Sequence, residues 1–347
     1  MHLTVYGFGN RGRDVVDQLI AQGLKVAMIF DKNPSCENYR NIEVRSLEDP
    51  IAIATAAGSH CIVGLHNSYV DIHEIYCSLI ELLATPVSLI NADSFGIRLV
   101  VDQGYWLDKS SQKYIIENDD ERWMLVHLAD DISRKVFSEI KKYRQTGDFS
   151  DCPVPSTEDE YLPNDLPSYP EPINLLDCGA FTGIAYRKFA KKYKVAKYLA
   201  FEPDLKNFSE LRTYKFNSDF VTLLPLGVWN KTEVIKFSAG KEMGSTIDSQ
   251  GSSIIQCVAV DDVVPTFDPT IIKFDVEGAE LNGLLGMRRL IERNRPSLCI
   301  SVYHRPEDMV TIPKLIVSWG LDYKLYLRNH EYNGFGTVLY ARPQTHI

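Results

Sequence analysis

Residues 177–183 read Asp177-Cys178-Gly179-Ala180-Phe181-Thr182-Gly183, and this stretch decides the fold class. An apolar strand-like run from Ile173 leads into it, and a helix-like stretch at about 183–193 follows. Glycines between a strand and a helix permit a tight turn and let a ligand approach the backbone. The helix N-terminus adds free N–H groups and partial positive charge, which suit a carboxylate. The next strand ends at Phe201-Glu202-Pro203-Asp204, about 25 residues after Asp177. An acid there can accept hydrogen bonds from both hydroxyls of a ribose. Both elements lie at the carboxyl ends of strands, where open α/β sheets bind their ligands.

Outward from this point the alternation continues. Strands are expected at Ile173–Asp177, Tyr198–Glu202, Val221–Leu226, Ile271–Asp275 and Leu298–Tyr303. Helices fit at about 183–193, 204–215, 279–293 and 306–319. Tyr323–Leu327 and Thr337–Tyr340, around Asn333-Gly334, read as an antiparallel hairpin. Shorter strands form an insertion at about 232–260, with Gly244-Ser245-Thr246 a candidate acceptor contact.

The N-terminal part repeats the theme. Leu3–Tyr6 reads as a strand, and Gly7-Phe8-Gly9-Asn10-Arg11-Gly12 as the turn after it. A helix carries Val15, Val16, Leu19 and Ile20 on one stripe, and Lys25–Phe30 is a second strand ended by Asp31. Cys61–Leu65 and Val87–Ile90 are further strands, with a helix at Ile72–Leu83 between them. Gly7, Gly9 and Gly12 match the dinucleotide fingerprint, and Asp31 stands where a ribose-binding acid belongs. His66-Asn67 and Asn91-Asp93 follow apolar strands and point to the same crevice. No Tyr-x-x-x-Lys pair of the reductase kind accompanies them. A helical middle, with helices at Glu121–Leu128 and Ile132–Tyr143, gives way after Gly147 to Pro, Ser, Asp and Glu. The expected organisation is α/β: a Rossmann-like domain at 1–105, a helical segment and linker at 106–165, and a second Rossmann-like domain at 166–347.

Composition narrows the classes. A net charge of -9 argues against a nucleic-acid backbone as the main partner. No apolar run approaches the roughly 18–20 residues that span a bilayer, and the N-terminus lacks a signal-peptide layout. The expected location is the cytoplasm. The seven cysteines are scattered without a CxxC pair, which suggests buried small side chains rather than zinc or disulfides.

Further motifs narrow the family. Ile272-Lys273-Phe274-Asp275-Val276-Glu277-Gly278-Ala279-Glu280 is an apolar strand running into an acid-rich turn. It resembles the signature of FkbM S-adenosylmethionine-dependent methyltransferases. Tyr161-Leu162-Pro163 is similar to a lead-in of one branch of that family. Ser301-Val302-Tyr303-His304-Arg305-Pro306-Glu307-Asp308 fits its fifth strand and exit. The resemblance covers about residues 160–342, with Cys178 a departure from the apolar or small residue usual there. It implies a seven-stranded sheet whose terminal hairpin is antiparallel. It also implies S-adenosylmethionine as cofactor, with Asp177, Gly179, Ala180 and Gly183 at its amino-acid end, Glu202 on the ribose, and Gly227 and Val228 bordering adenine. Acceptors in the family are hydroxyls of sugars or natural products, so the expected partner is a small-molecule or saccharide acceptor. That places the chain in glycan or secondary-metabolite biosynthesis.

Methyl transfer is an in-line displacement, so the protein's main task is alignment. A hydroxyl acceptor also benefits from a base within hydrogen-bond reach. Asp275 and Glu277 end one strand and His304 ends its neighbour. The expectation is His304 as base, Asp275 positioning the acceptor and Glu277 orienting nearby groups. Two carboxylates alone do not define a metal site, so none is expected, although a cation on Asp275 and Glu277 stays an alternative. Glu280 is read as favouring a helix N-terminus, Asp261-Asp262 as capping the next turn, and Arg288 as a snorkelling arginine on a stripe of Leu281, Leu284, Leu285 and Ile291. Two other functions stay open. One is an NAD(P)- or nucleotide-sugar-binding oxidoreductase or epimerase led by the first domain. The other is a non-catalytic binding protein, against which the intact set Asp177, Gly179 and Glu202 argues. A homo-oligomer is compatible with all three.

Overall fold

The computed structural model describes residues 2–65, 68–84, 87–89, 116–146, 151, 153–238, 246–247 and 253–344. Two compact units emerge. One holds 1–115, 137–155 and 331–335, and the other 116–136, 156–330 and 336–347. His66, Asn67, Asn91, Asp93, Cys152, Gly244 and Ser245 lie outside the described residues.

The first unit begins β1 (Leu3–Tyr6), α1 (Asn10–Ala21), β2 (Val26–Asp31), β3 (Asn38–Tyr39), β4 (Ile42–Ser46), α2 (Pro50–Ala56), β5 (His60–Val63), α3 (Ile72–Leu83) and β6 (Val87–Leu89). Its sheet runs β3-β4-β2-β1-β5-β6. All pairs are parallel except β3 with β4. Val15, Val16 and Leu19 of α1 are buried as expected, but Ile20 is 41% exposed and leaves the stripe. β3, β4 and α2 come in addition to the expected elements. For α2 the signal was present: Asp49 accepts a hydrogen bond from the Ile51 amide, and Pro50 stands in the first turn.

Two helices follow, α4 (Asn118–His127) and α5 (Asp131–Thr146). The division between units falls within α5, so the second unit takes all of α4 and the start of α5. It continues with β7 (Ile173–Cys178), α6 (Ile184–Lys192), β8 (Val195–Phe201), α7 (Leu205–Leu211), β9 (Phe220–Leu224), β10 (Gly227–Val228), β11 (Glu233–Ser238), β12 (Thr246–Ile247), β13 (Ser253–Val258), α8 (Val260–Val263) and β14 (Ile271–Phe274). Then come α9 (Glu280–Leu285), α10 (Arg288–Asn294), β15 (Ser297–Ser301), α11 (Asp308–Ser318), β16 (Tyr323–Asn329) and β17 (Thr337–Pro343). The main sheet has seven strands in the order β16-β17-β15-β14-β7-β8-β9. Only β17 runs antiparallel to its neighbours. The seven-stranded sheet with an antiparallel terminal hairpin is therefore present as expected.

The central strands are covered on both faces, so every residue of β7, β14 and β15 is buried. Tyr186, Phe189, Tyr198, Tyr169 and Tyr340 fill the core of one face. The insertion forms its own sheet, β10-β13-β11-β12.

The expected single helix at 279–293 is two helices. At Gly286 a Cβ would sit 1.9 Å from the Trp229 carbonyl oxygen, so the chain presses backbone to backbone and the helix breaks. Leu285 is consequently 42% exposed rather than part of a buried stripe. Arg288 opens α10 and pairs with Glu292 on the surface. Asp261 caps a helix instead of the next turn: its two oxygens accept from the Arg289 and Leu290 amides at the start of α10, 2.9 and 2.8 Å.

Candidate active site

The loop after β7 is built by close approach. Gly179 has φ +77°, and a Cβ there would lie 1.9 Å from the Asp275 carbonyl oxygen. No L side chain fits that space or that backbone region comfortably. The Gly179 and Ala180 amides both donate to the Phe201 carbonyl at 3.0 Å, which ties the loop to the end of β8. Glu202 completes the tie. One of its oxygens accepts from the Phe181 amide at 2.7 Å and the other from the Asp204 amide at 2.9 Å. Each oxygen keeps a further lone-pair direction. Burial raises the Glu202 carboxyl, and the two amides pull it back down. Gly183, φ +84°, begins α6 with no side-chain cap, so the first-turn amides are left for other acceptors.

Asp177, expected to line the cofactor, is fully buried. It accepts from the Tyr198 hydroxyl at 3.0 Å and lies 3.4 Å from the Lys273 ammonium. Lys273 in turn donates to the Gly179 carbonyl at 2.6 Å and lies 3.8 Å from Asp275. Burial works against its charge, but Asp177 and Asp275 outweigh it and hold the ammonium protonated. Lys273 sits inside the strand run quoted for the family resemblance, yet sequence reading assigned it nothing. Its signal was a lone lysine in an otherwise apolar strand, opposite Asp177 in register.

A second cluster forms where β14 and β15 end. Asp275 accepts from the Tyr161 hydroxyl at 3.2 Å. Glu277 takes φ +54°, a strained conformation for a side-chain-bearing residue. His304 is 2% exposed. Its Nδ1 lies 2.9 Å from Glu280 Oε1, while Nε2 lies 3.5 Å from Asp275 Oδ1 and 3.4 Å from Glu277 Oε2. Among the described residues Nε2 has no hydrogen-bond partner. Glu280 is fully buried and also accepts from the Val276 amide at 2.9 Å. It is therefore part of this cluster, where sequence reading saw only a helix-terminal charge.

The electrostatics follow from that crowding. Burial opposes the imidazolium, but Glu280 and Glu277 overcome it and push His304 up to about 10. Burial drives Glu277 up to about 8. Asp275 is held low: Lys273, His304 and Tyr161 outweigh its burial. Burial and the neighbouring Glu280 carry Asp308 up to about 8. His304, expected as the base, thus stands among carboxylates that favour its protonated form.

The structure brings together Asp177, Gly179, Ala180, Gly183 and Glu202 around one loop, and Asp275, Glu277 and His304 around the next. The Gly179 loop and the Asp275 turn touch through backbone. Gly227 and Val228 are buried in β10 and paired with β13. Gly227 packs on the Cys257 thiol. In the first unit, Gly7 has φ +96° and Gly12 faces the Gly7 carbonyl so closely that a Cβ would lie 1.8 Å from it. Space around Gly9 is open. Asp31 accepts from the Phe8 and Asn33 amides at 2.6 and 2.8 Å. Of the described cysteines, Cys61, Cys178, Cys257 and Cys299 are buried, while Cys36 and Cys77 are exposed against expectation. No described helix is long and apolar enough to cross a membrane.

No curated protein matches the chain. A solved structure, methyltransferase FkbM from Methylobacillus flagellatus KT, is similar in fold with a TM-score of 0.79. It is 21% identical over 98% of this chain and 89% of that one. Residues 177–332 match the methyltransferase FkbM domain. The matched stretch includes the turn from Asp275 to Glu280 and lies in the second unit, so that unit is similar to an FkbM methyltransferase domain.

Proposed function

We propose that the second unit transfers the methyl group of S-adenosylmethionine to a hydroxyl oxygen on a sugar or natural-product-like acceptor. One observation carries this reading. A glycine loop anchored by a buried acid and a cluster of polar groups stand side by side at the carboxyl ends of adjacent strands. The donor set fits such a cofactor. Glu202 retains lone pairs for ribose hydroxyls, and the uncapped start of α6 offers amides to a carboxylate. Bound there, the cofactor supplies an activated methyl on sulfonium, so the protein has mainly to align.

The chain's own residues divide the remaining work. Asp177 and Lys273 fix the Gly179 carbonyl and hence the loop. Tyr161 orients Asp275. Asp275 and Glu277, both half-buried, are the accessible carboxylates of the second cluster and position the acceptor hydroxyl. His304, locked by Glu280, stands between them. The acceptor places this activity in glycan or secondary-metabolite synthesis, in the cytoplasm.

S-adenosylhomocysteine at a hundredfold excess over its dissociation constant stabilises a protein that binds it only when folded by about 2.7 kcal/mol. We expect such a shift in the wild type and its loss in Glu202→Ala. Absence of any shift would sink the reading.

A second reading concerns the first unit. Its open Gly9, its tight Gly7–Gly12 contact and Asp31 at the end of β2 support a nucleotide site. NAD is the probe: stabilisation lost in Gly9→Val supports it, and an unshifted melt rejects it.

A further inference from the structure

We propose that His304 Nε2, with the carboxylates of Asp275 and Glu277, binds a divalent cation, and that the acceptor presents two neighbouring oxygens to it. The acceptor half rests on the methyltransferase reading; the cation half stands on the residues alone.

Geometry comes first. His304 is almost fully buried, and its Nε2 points between two carboxylate oxygens without a hydrogen bond to either. The separations are 3.5 and 3.4 Å. Those are long for a charge-assisted hydrogen bond, which runs at about 2.7–2.9 Å. A tetrahedral cation with bonds of about 2.0–2.2 Å has donor–donor edges of about 3.3–3.6 Å. Asp275 Oδ1 is likewise buried without a hydrogen-bond partner among the described residues. Asp275, Glu280 and His304 offer ligand atoms all within 4.8 Å of one another; Glu277 is not of that group and joins the site through its 3.4 Å approach to Nε2, while Glu280 stays on the Nδ1 side.

The surroundings are those of a metal ligand set. Glu280 binds Nδ1 at 2.9 Å and is itself fixed by the Val276 amide. A carboxylate behind a histidine fixes the tautomer that leaves Nε2 for metal. Tyr161 holds Asp275 by Oδ2, which leaves Oδ1 facing His304. Three carboxylates crowd one imidazole, and a dication balances them better than a single proton does. One nitrogen with two carboxylate oxygens favours Mn²⁺ or Zn²⁺ over Ca²⁺.

Three protein ligands leave positions open for a substrate. Two adjacent hydroxyls of a polyhydroxylated acceptor can fill them, and a coordinated hydroxyl gives up its proton more readily. That removes the need for a histidine base and replaces the expectation that no metal is held here.

The test uses the full chain, stripped with EDTA, and Mn²⁺ followed by electron paramagnetic resonance without cofactor. We expect one bound Mn²⁺ per chain, displaced by Zn²⁺. Affinity should fall at least tenfold in His304→Gln and in Glu277→Gln, and about 10–100-fold in Glu280→Gln, which frees the imidazole to turn. Circular dichroism checks each fold; Glu277→Gln, at the half-buried rim, is the variant least prone to misfold. No binding in the wild type, or equal binding in His304→Gln and Glu277→Gln, overturns the site. A methyl glycoside with adjacent hydroxyls should change the Mn²⁺ signal and its deoxy counterpart should not; equal responses overturn the acceptor half. S-adenosylhomocysteine binding is read on the same samples. Cofactor binding without Mn²⁺ rejects the cation and keeps the transferase reading; Mn²⁺ without cofactor does the reverse.

Discussion

Single residues carry the loop on which the site rests. Gly179 combines φ +77° with backbone contact to Asp275, so Gly179→Ala meets both a strained conformation and a clash. Strain of this kind costs about 1–3 kcal/mol before the clash is added. We expect the urea midpoint of the second unit to fall in line with at least that loss. Gly9 is the contrast. A Cβ there meets nothing within 4 Å, and its φ of -70° is ordinary. Gly9→Ala should cost about 1 kcal/mol or less, through the weaker N-cap alone. Equal losses at the two positions would refute the packing argument. Both glycines were visible in the sequence as turn signals, but which one is pressed against backbone was not. Glu280 shows the same limit. From sequence it reads as a charge favouring a helix N-terminus; that it faces His304 from 24 positions away depends on how β14 and β15 pair.

Elements were legible where a strand or helix has one strong pattern. Leu3–Tyr6 and Ile72–Leu83 match expectation end to end, and the central strands of the second sheet were clear because burial on both faces makes them continuously apolar. The pattern fails where tertiary contact overrides it, as at Gly286, or where a strand is short, as in β3. The terminal hairpin carries a feature no periodicity predicts. Arg328 of β16 is 1% exposed and donates to Asp130 and Asp165 at 2.8 Å and to Ser133 at 2.9 Å. Hydrogen bonds to charged groups contribute about 1.5–3 kcal/mol each, so Arg328→Met should lower stability by about 2–3 kcal/mol or more at neutral pH. Burial raises the Asp130 carboxyl, but Arg328 and Ser133 outweigh it and hold it below its usual value. A carboxylate depressed in the folded state stabilises above its unfolded pKa of about 3.9 and loses that contribution as pH falls through its folded value. The gap between wild type and Arg328→Met should therefore narrow below about pH 4. Chemical melts at pH 7 and pH 3.5 measure it; a gap that is constant with pH would show that Arg328 acts by packing alone.

At the scale of the whole molecule, sequence alternation suggests a C-terminal domain beginning near residue 166, whereas the second compact unit draws in 116–136 and 156–165 as well. Those earlier residues are tied in by specific contacts. Leu128 bridges to Leu325, the Ala129 amide donates to the Leu325 carbonyl at 2.8 Å, and Ser133 Oγ accepts from the Leu327 amide at 2.9 Å. Tyr161 supplies the hydroxyl on Asp275, and Asp130 and Ser133 satisfy Arg328. None of this is visible in local sequence, because each contact joins positions more than a hundred residues apart. A fragment of residues 166–347 strips these partners away and strands a buried guanidinium, a defect that costs about 3–5 kcal/mol when a buried pair is broken. With total stabilities of about 5–15 kcal/mol, that loss takes a large share. We expect 166–347 to melt early, or not cooperatively, while 116–347 melts as one transition and binds S-adenosylhomocysteine. If 166–347 melts as sharply as 116–347 and binds equally well, residues 116–165 are a linker after all, and the support assigned to Tyr161 and Asp130 falls with them.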